Sequence, residues 1–310
     1  MTERQPFEAL RDELHPSDRI VITGASGWLG QSLLHALNQA DHTMLPDRVL
    51  ALGSRNREIS LLDGPSVRIR EWKDTEVAEF EPTIAVHLAY LTADRLRNIN
   101  EELYSATNHE LSARGLALQQ LPGLRAFMLA SSGAATVAGA ASTLGKHPYA
   151  RQKADDERAY LTSHAAASTP TLAARLWSVS GPYCTRPQSY AFSDMVMKAR
   201  AGEEIIVAAT GEVRRRYVDA GEFLAACLAL NLRGRSGIVN SGGDEVEIRE
   251  LATVITQVLG GIFTAPIIDP QIPVELYLAE SADMESAARE LGIRFTDLAD
   301  QILLTSRGLR

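Results

Sequence analysis

Two groups of residues have types and spacings that can do chemistry. In Tyr149-Ala150-Arg151-Gln152-Lys153 a phenol and an ammonium sit four residues apart, which places both on one face of a helix. A tyrosine with its ordinary pKa of about 10 is a poor base at neutral pH, but a neighbouring cation favours the phenolate and lowers that value. A hydroxyl from Ser131 or Ser132, at the end of the apolar run Ala126–Ala130, can hold a substrate oxygen while Tyr149 exchanges a proton with it. Taken alone, this spacing also fits a plain surface helix. The second group gives it weight. Gly24, Gly27 and Gly30 follow the apolar run Ile20–Ile22 and lead into the helically spaced Leu29, Leu33, Leu34 and Leu37. Strand, glycine turn and helix are the context of a dinucleotide fingerprint. Gly24 permits the tight turn, Gly27 lets the backbone approach a pyrophosphate, and Gly30 lets the helix pack on its strand. Free N–H groups and the positive helix end then face the phosphates.

Positioning both groups requires a particular order of elements. Arg48–Gly53 reads as a second buried strand, tipped by Ser54-Arg55 with no carboxylate before Glu58. An acidic residue at that tip would accept from a free ribose 2′-hydroxyl, whereas an arginine pairs with a 2′-phosphate; the tip therefore favours NADP over NAD. A solvated arginine at a strand end is the alternative. Asp63-Gly64 marks a turn between Ile59–Leu62 and Val67–Arg70. Thr83–Ala89 is a fourth strand, Asn98–Gln120 a long helix, and Ala126–Ala130 a fifth strand. Strands alternating with helices predict an α/β Rossmann-type, doubly wound parallel sheet with ligands at the carboxyl ends of its strands. From Gly181 the pattern changes, and we expect residues 181–310 to form a smaller α/β substrate lobe. The dinucleotide domain then spans 18–180, with about 217–242 returning to it. Arg214-Arg215-Arg216 reads as a basic turn able to grip a pyrophosphate. Asp219-Ala220-Gly221-Glu222 reads as a capping box opening a helix to Leu232.

Composition narrows the function further. The chain has 310 residues, 45% of them hydrophobic, and a net charge of −8, so it offers no basic stripe for a nucleic acid. Cys184 and Cys227 are far apart and lack metal-ligand spacing. No apolar run reaches the length of a membrane span, and Met1–Asp18 has no apolar signal core; a cytoplasmic protein is the expectation.

The motifs together resemble the extended short-chain dehydrogenases/reductases, the NAD(P)-dependent epimerase/dehydratase group. The matching pieces are Thr23–Gly30, His87-Leu88-Ala89, Ser131-Ser132-Gly133, Tyr149–Lys153, Arg175–Pro182, Arg215–Asp219 and Val239–Gly243. The resemblance implies Tyr149 as acid/base, Lys153 as the ribose ligand that tunes it, and Ser132 as the group polarising the substrate oxygen, with Ser131 competing. It also implies a cofactor seat of Gly24, Ser26, Gly27, Trp28, Leu29, Gly30, Ser54, Arg55, Leu88 and Ala89. Tyr90, Ser131, Ser132 and Arg215 would meet the substrate, a nucleotide-linked sugar, in a homodimeric enzyme. Two departures stand out. Ala138 replaces the family's usual tyrosine in the motif after Ser132. Gly133 and Ala134 follow the serine where family dehydratases carry an acid, which leaves epimerisation or net ketone reduction. The alternatives are a carbonyl reductase acting on a non-sugar molecule and a non-catalytic dinucleotide sensor.

Overall fold

The computed structural model describes residues 4–279 and 282–309. In chain order its elements are α1 (Pro6–Glu13), β1 (Ile20–Thr23), α2 (Trp28–Ala40), α3 (Met44–Arg48), β2 (Val49–Gly53), β3 (Arg57–Ser60), β4 (Ser66–Glu71), α4 (Asp74–Phe80) and β5 (Ile84–His87). Then come α5 (Glu101–Gln119), β6 (Ala126–Ser132), α6 (Thr143–Lys146), α7 (Pro148–Leu161), β7 (Thr171–Leu176), β8 (Ser178–Ser180), α8 (Ala191–Ala201) and β9 (Ile205–Ile206). The chain closes with β10 (Val213–Asp219), α9 (Ala220–Leu232), β11 (Gly237–Asn240), β12 (Asp244–Glu247), α10 (Ile248–Leu259), β13 (Phe263–Thr264), β14 (Glu275–Tyr277), α11 (Ala282–Leu291) and α12 (Leu298–Gly308).

Eight strands form one sheet in the order β11-β7-β6-β5-β1-β2-β4-β3, parallel throughout except for β3, which turns back antiparallel on β4. This is the doubly wound Rossmann-type arrangement. Ile20, Val21, Ile22 and Thr23 are all fully buried, as expected of a central parallel strand covered by helices on both faces. The β3–β4 pair is the hairpin expected around Asp63-Gly64, and Asp63 itself takes a left-handed φ of 50°. A second sheet is built on β10, which pairs antiparallel with β12 and parallel with β8 and β14. The triple arginine is therefore strand, not turn. Alternation along it puts Arg214 and Arg216 on one face, where both reach Glu245, and Arg215 on the other.

Asp219 caps α9 as expected, accepting from the backbone N–H groups of Gly221 and Glu222 at 2.8 and 3.0 Å. The reciprocal half of the box is not made. Glu222 instead accepts from the backbone N–H of Thr296 at 2.9 Å and from its hydroxyl, tying α9 to the chain entering α12. Burial pushes the Asp219 carboxyl up to about 6, against the two N–H groups that hold it down. Burial and then the Asp219 charge push Glu222 up to about 7. Both groups keep protons to higher pH in the folded chain than in the unfolded one, so the folded state binds more protons between about pH 4 and 7. Stability contributed here is therefore present at low pH and lost as pH rises through that window. A tenfold difference in proton affinity between the folded and unfolded chain corresponds to about 1.4 kcal/mol. Relative to wild type, Glu222→Gln should gain roughly 1–3 kcal/mol between pH 5 and pH 8 in urea melts. A constant difference would mean that Glu222 carries no excess proton in the folded chain.

Candidate active site

The carboxyl ends of β1, β2, β5 and β6 open into a single elongated cavity of about 1350 Å³. That exceeds an ordinary small-molecule pocket and suits a dinucleotide together with a second ligand. Gly24, at φ 68°, lies so close to the chain after β5 that a Cβ would stand 2.6 Å from the Ala89 nitrogen. A Cβ on Gly30 would stand 2.4 Å from the Ala25 Cα. Both positions therefore admit only glycine. The turn they allow puts Gly27 at the N-cap of α2 and leaves the helix's first N–H groups toward the cavity. Ser26, Gly27, Trp28, Leu29, Leu88, Ala89 and Ser54 all line the same space. The residues present fit a dinucleotide: a glycine cradle at a helix N-terminus, followed by a cleft leading to a polar constellation.

The tip of β2 differs from the expectation at one residue. Arg55 is exposed and is not among the residues lining the cavity, whereas Arg57, the first residue of β3, is. The chain leaves β2 through Ser54-Arg55-Asn56, where Asn56 accepts from the Glu71 N–H at 2.9 Å, and the antiparallel return brings Arg57 to the wall. Glu71, Trp72 and Arg114 complete this end, with the Arg114 guanidinium 3.9 Å above the Trp72 ring. Asp74 pairs with Arg114 at 2.9 Å.

At the far end the two serines separate. Ser131 Oγ donates to the Glu157 carboxylate at 2.5 Å, and that carboxylate is paired with Arg175 through contacts of 2.8 and 2.5 Å. Ser131 belongs to a buried network between β6, α7 and β7. Ser132 accepts from the Ala134 N–H at 3.2 Å and faces the phenol of Tyr149. Burial pushes the Tyr149 phenol up, and the Ser132 hydroxyl partly offsets it. Lys153 packs between the β6 backbone and the ring of Tyr90. Its Nζ donates to the Ala130 carbonyl at 3.0 Å and sits 3.4 Å above the Tyr90 ring, whose centroid is 5.9 Å from that of Tyr149. Burial pulls the Lys153 ammonium down to about 8, against the charges of Asp156 and Glu157 that hold it up.

Several lining residues carry no local sequence signal. Trp177 packs on Gly133, where a Cβ would stand 2.4 Å from its ring, and Tyr277 lies tilted against Trp177 with 5.0 Å between ring centroids. Tyr277, from β14, also faces Ser132 and Ala134. It comes from a part of the chain more than a hundred residues beyond Tyr149, yet lines the same cavity. Arg215 lines the cavity as expected but is ion-paired with Glu275, and it donates to the Arg214 carbonyl at 2.9 Å. Arg95 and Arg97, on a 3-10 turn after β5, line the cavity as well. Cys184 and Cys227 are buried free thiols. No helix among the described residues is long and apolar enough to cross a membrane.

With this geometry in place, the comparisons identify the class. The profile of the NAD dependent epimerase/dehydratase family matches residues 20–242. The chain belongs to that family. No curated protein matches the sequence significantly. Among solved structures it resembles UDP-glucose 4-epimerase from Brucella ovis in complex with NAD, at 18% identity and a TM-score of 0.71, covering 95% of this chain and 99% of that one. It likewise resembles UDP-N-acetylglucosamine 4-epimerase from Methanobrevibacter ruminantium M1 in complex with UDP-N-acetylmuramic acid, at 19% identity and 0.71, with 94% and 96% covered. The Bordetella bronchiseptica enzyme WbmF in complex with NADH matches at 20% identity and 0.71, covering 93% and 90%. At such identities the likeness establishes the fold.

The separation of the serines is directly testable. Ser131→Ala should cost about 1–3 kcal/mol of stability, because it removes a donor from a buried, charged network, while leaving cofactor affinity unchanged. Ser132→Ala, whose partners are a backbone N–H and uncharged phenols at the cavity, should be the milder change in a thermal melt. Equal destabilisation by the two would mean that Ser132 is also a structural hydroxyl.

Proposed function

We propose that the protein transfers a hydride between a nicotinamide cofactor and a secondary alcohol or ketone, with Tyr149 as acid/base, Ser132 holding the reacting oxygen and Lys153 holding the cofactor ribose. The observation that carries this reading is the convergence of Ser132 and Tyr149 on the cavity that the glycine turn opens. The bound dinucleotide supplies or accepts the hydride. Tyr149, its phenol kept protonated by burial, donates a proton to a ketone oxygen as hydride arrives; in the reverse direction it takes that proton back. Ser132 orients the oxygen from the other side. Gly133 and Ala134 place no carboxylate beside it, which favours epimerisation or net reduction over dehydration.

For the substrate, the named relatives support a nucleotide-linked sugar, and we assign Arg215, which lines the cavity, to its diphosphate. One observation favours a second reading, a carbonyl reductase acting on a molecule without a diphosphate. Arg214, Arg215 and Arg216 are each already paired with a carboxylate, from Glu212, Glu275 or Glu245. A diphosphate would have to displace Glu275 to reach Arg215. Incubating the enzyme and cofactor with UDP-glucose and UDP-N-acetylglucosamine, followed by proton NMR, distinguishes the readings. The first expects a C4 epimer or a reduced product, and the second expects neither. Tyr149→Phe should lower turnover by about 100-fold or more while leaving cofactor affinity nearly intact. Full turnover in that variant would remove Tyr149 from the chemistry.

For the cofactor we propose NADP(H) over NAD(H), read by Arg57 in place of Arg55. A charge-assisted pair to a 2′-phosphate is worth on the order of 1.5–3 kcal/mol, reduced by the exposure of this arginine. Calorimetric titration should show NADP(H) binding about ten-fold tighter, a preference lost in Arg57→Ala and kept in Arg55→Ala. Equal affinities in wild type, or a preference that follows Arg55, would overturn the assignment.

A further inference from the structure

Lys153 is 5% exposed, yet among the described residues it forms no ion pair. Buried ammonium groups are ordinarily paired. The carboxylates that face it from its own helix are engaged elsewhere: Asp156 accepts from Ser112 Oγ at 2.7 Å, and Glu157 is held by Ser131 and Arg175. Its compensation consists of one carbonyl, that of Ala130 at 3.0 Å, and one ring face, that of Tyr90 at 3.4 Å. An ammonium has three N–H donors. With one on Ala130 and the ring under the nitrogen, an N–H remains for the cavity that Lys153 lines.

The ring is held in place by parts of two helices. Asn108 of α5, 1% exposed, accepts from the Leu91 N–H at 2.8 Å and donates to the Leu91 carbonyl at 3.2 Å, which pins the backbone next to Tyr90. The Tyr90 hydroxyl donates to Gln152 Oε1 at 3.4 Å, and Gln152 in turn donates to the Ser105 carbonyl at 3.2 Å. Gln152 precedes Lys153 on α7, so one anchor fixes both the ring and the helix turn that carries the ammonium.

We propose that Tyr90 is a positioning residue for the dinucleotide, its ring face holding the Lys153 ammonium charged and aimed at the cofactor ribose. This rests on the reading of Lys153 as the ribose ligand. A ring face favours the cation and so opposes the burial that lowers this lysine. The other titratable groups facing Lys153 are His87 on β5, kept neutral by a burial-driven fall to about 3, and Tyr90 itself, whose phenol burial pushes up. Asp156 and Glu157 supply the opposing charges.

The test is calorimetric titration of the full-length protein with NADP+ and with NAD+ from pH 6.5 to 9. Wild-type affinity should fall as pH passes about 8, where Lys153 loses its proton. Removing the ring lowers the lysine pKa, so in Tyr90→Leu the fall should begin about one to one and a half pH units lower, and affinity at pH 7.5 should drop about three- to ten-fold. Tyr90→Phe keeps the ring and should keep the wild-type breakpoint. A pentafluorophenylalanine at position 90 keeps the shape but withdraws ring electron density, and should behave like leucine even if the leucine variant folds poorly. A wild-type breakpoint in the fluorinated variant, or tighter binding in Tyr90→Leu, would overturn the proposal. Lys153→Met separates the two levels of argument. It should give a flat, weakened profile, whereas unchanged affinity there would remove Lys153 itself as the cofactor ligand.

Discussion

The architecture of the site depends on how closely three backbones approach one another at the end of β1. Gly24 touches the chain leaving β5, and Gly30 touches the turn that precedes its own helix, with no room for a methyl group at either point. That contact brings the N-terminus of α2 and the Leu88-Ala89-Tyr90 segment to one lip of the cavity. It also sets where Tyr90 stands, and through Tyr90 where the Lys153 ammonium rests. The glycine turn thus does more than open the cavity, because it also fixes how far the α2 N-terminus stands from the Tyr90 segment.

The two ends of the cavity have different electrostatics. Near the tip of β2, Arg57 lines the wall without an ion-pair partner among the described residues, beside the Arg114–Asp74 pair. At the substrate end Arg215 is neutralised by Glu275, and aromatic faces from Trp177, Tyr190 and Tyr277 make up much of the lining. The substrate end offers stacking surfaces and hydroxyls.

Much of this was legible in the sequence because the signals are local. The strand, glycine turn and helix of residues 20–40, the spacing of Tyr149 and Lys153, and the Asp219 cap all depend on neighbours within a few residues, where propensity and periodicity act. What escaped depends on pairings across the chain. The arginine triplet looks like a turn beside Gly211, but becomes strand because β12 and β14 pair along it. Arg55 and Arg57 cannot be told apart until the hairpin folds back. Ser131 and Ser132 are equivalent by type, and only the buried Glu157–Arg175 pair decides which one faces inward. Tyr277 has no local signature at all. It arrives through the parallel register of β14 on β10, which sets Tyr277 beside Arg215.

That buried pair also bears on how α7 performs its role. Tyr149, Lys153 and Glu157 follow one another at four-residue intervals and share one helical face. Glu157 is bound to Ser131 on β6 and Arg175 on β7, so this face is anchored to two sheet strands one turn beyond the lysine. A carboxylate desolvated this far is stable only while both partners remain, since removing either leaves a buried charge uncompensated. The site therefore has a rigid base. Rotating α7 enough to move the Tyr149 phenol off Ser132 would first require breaking the Glu157 contacts. The start of the helix is held as well. It begins at His147, whose ring accepts from the Tyr149 N–H at 3.1 Å, and it packs against the short turns spanning Gly133–Val137 and Thr143–Lys146. A helix clamped to the sheet beyond Lys153 and capped just before Tyr149 holds the phenol and the ammonium in one fixed register along the cavity.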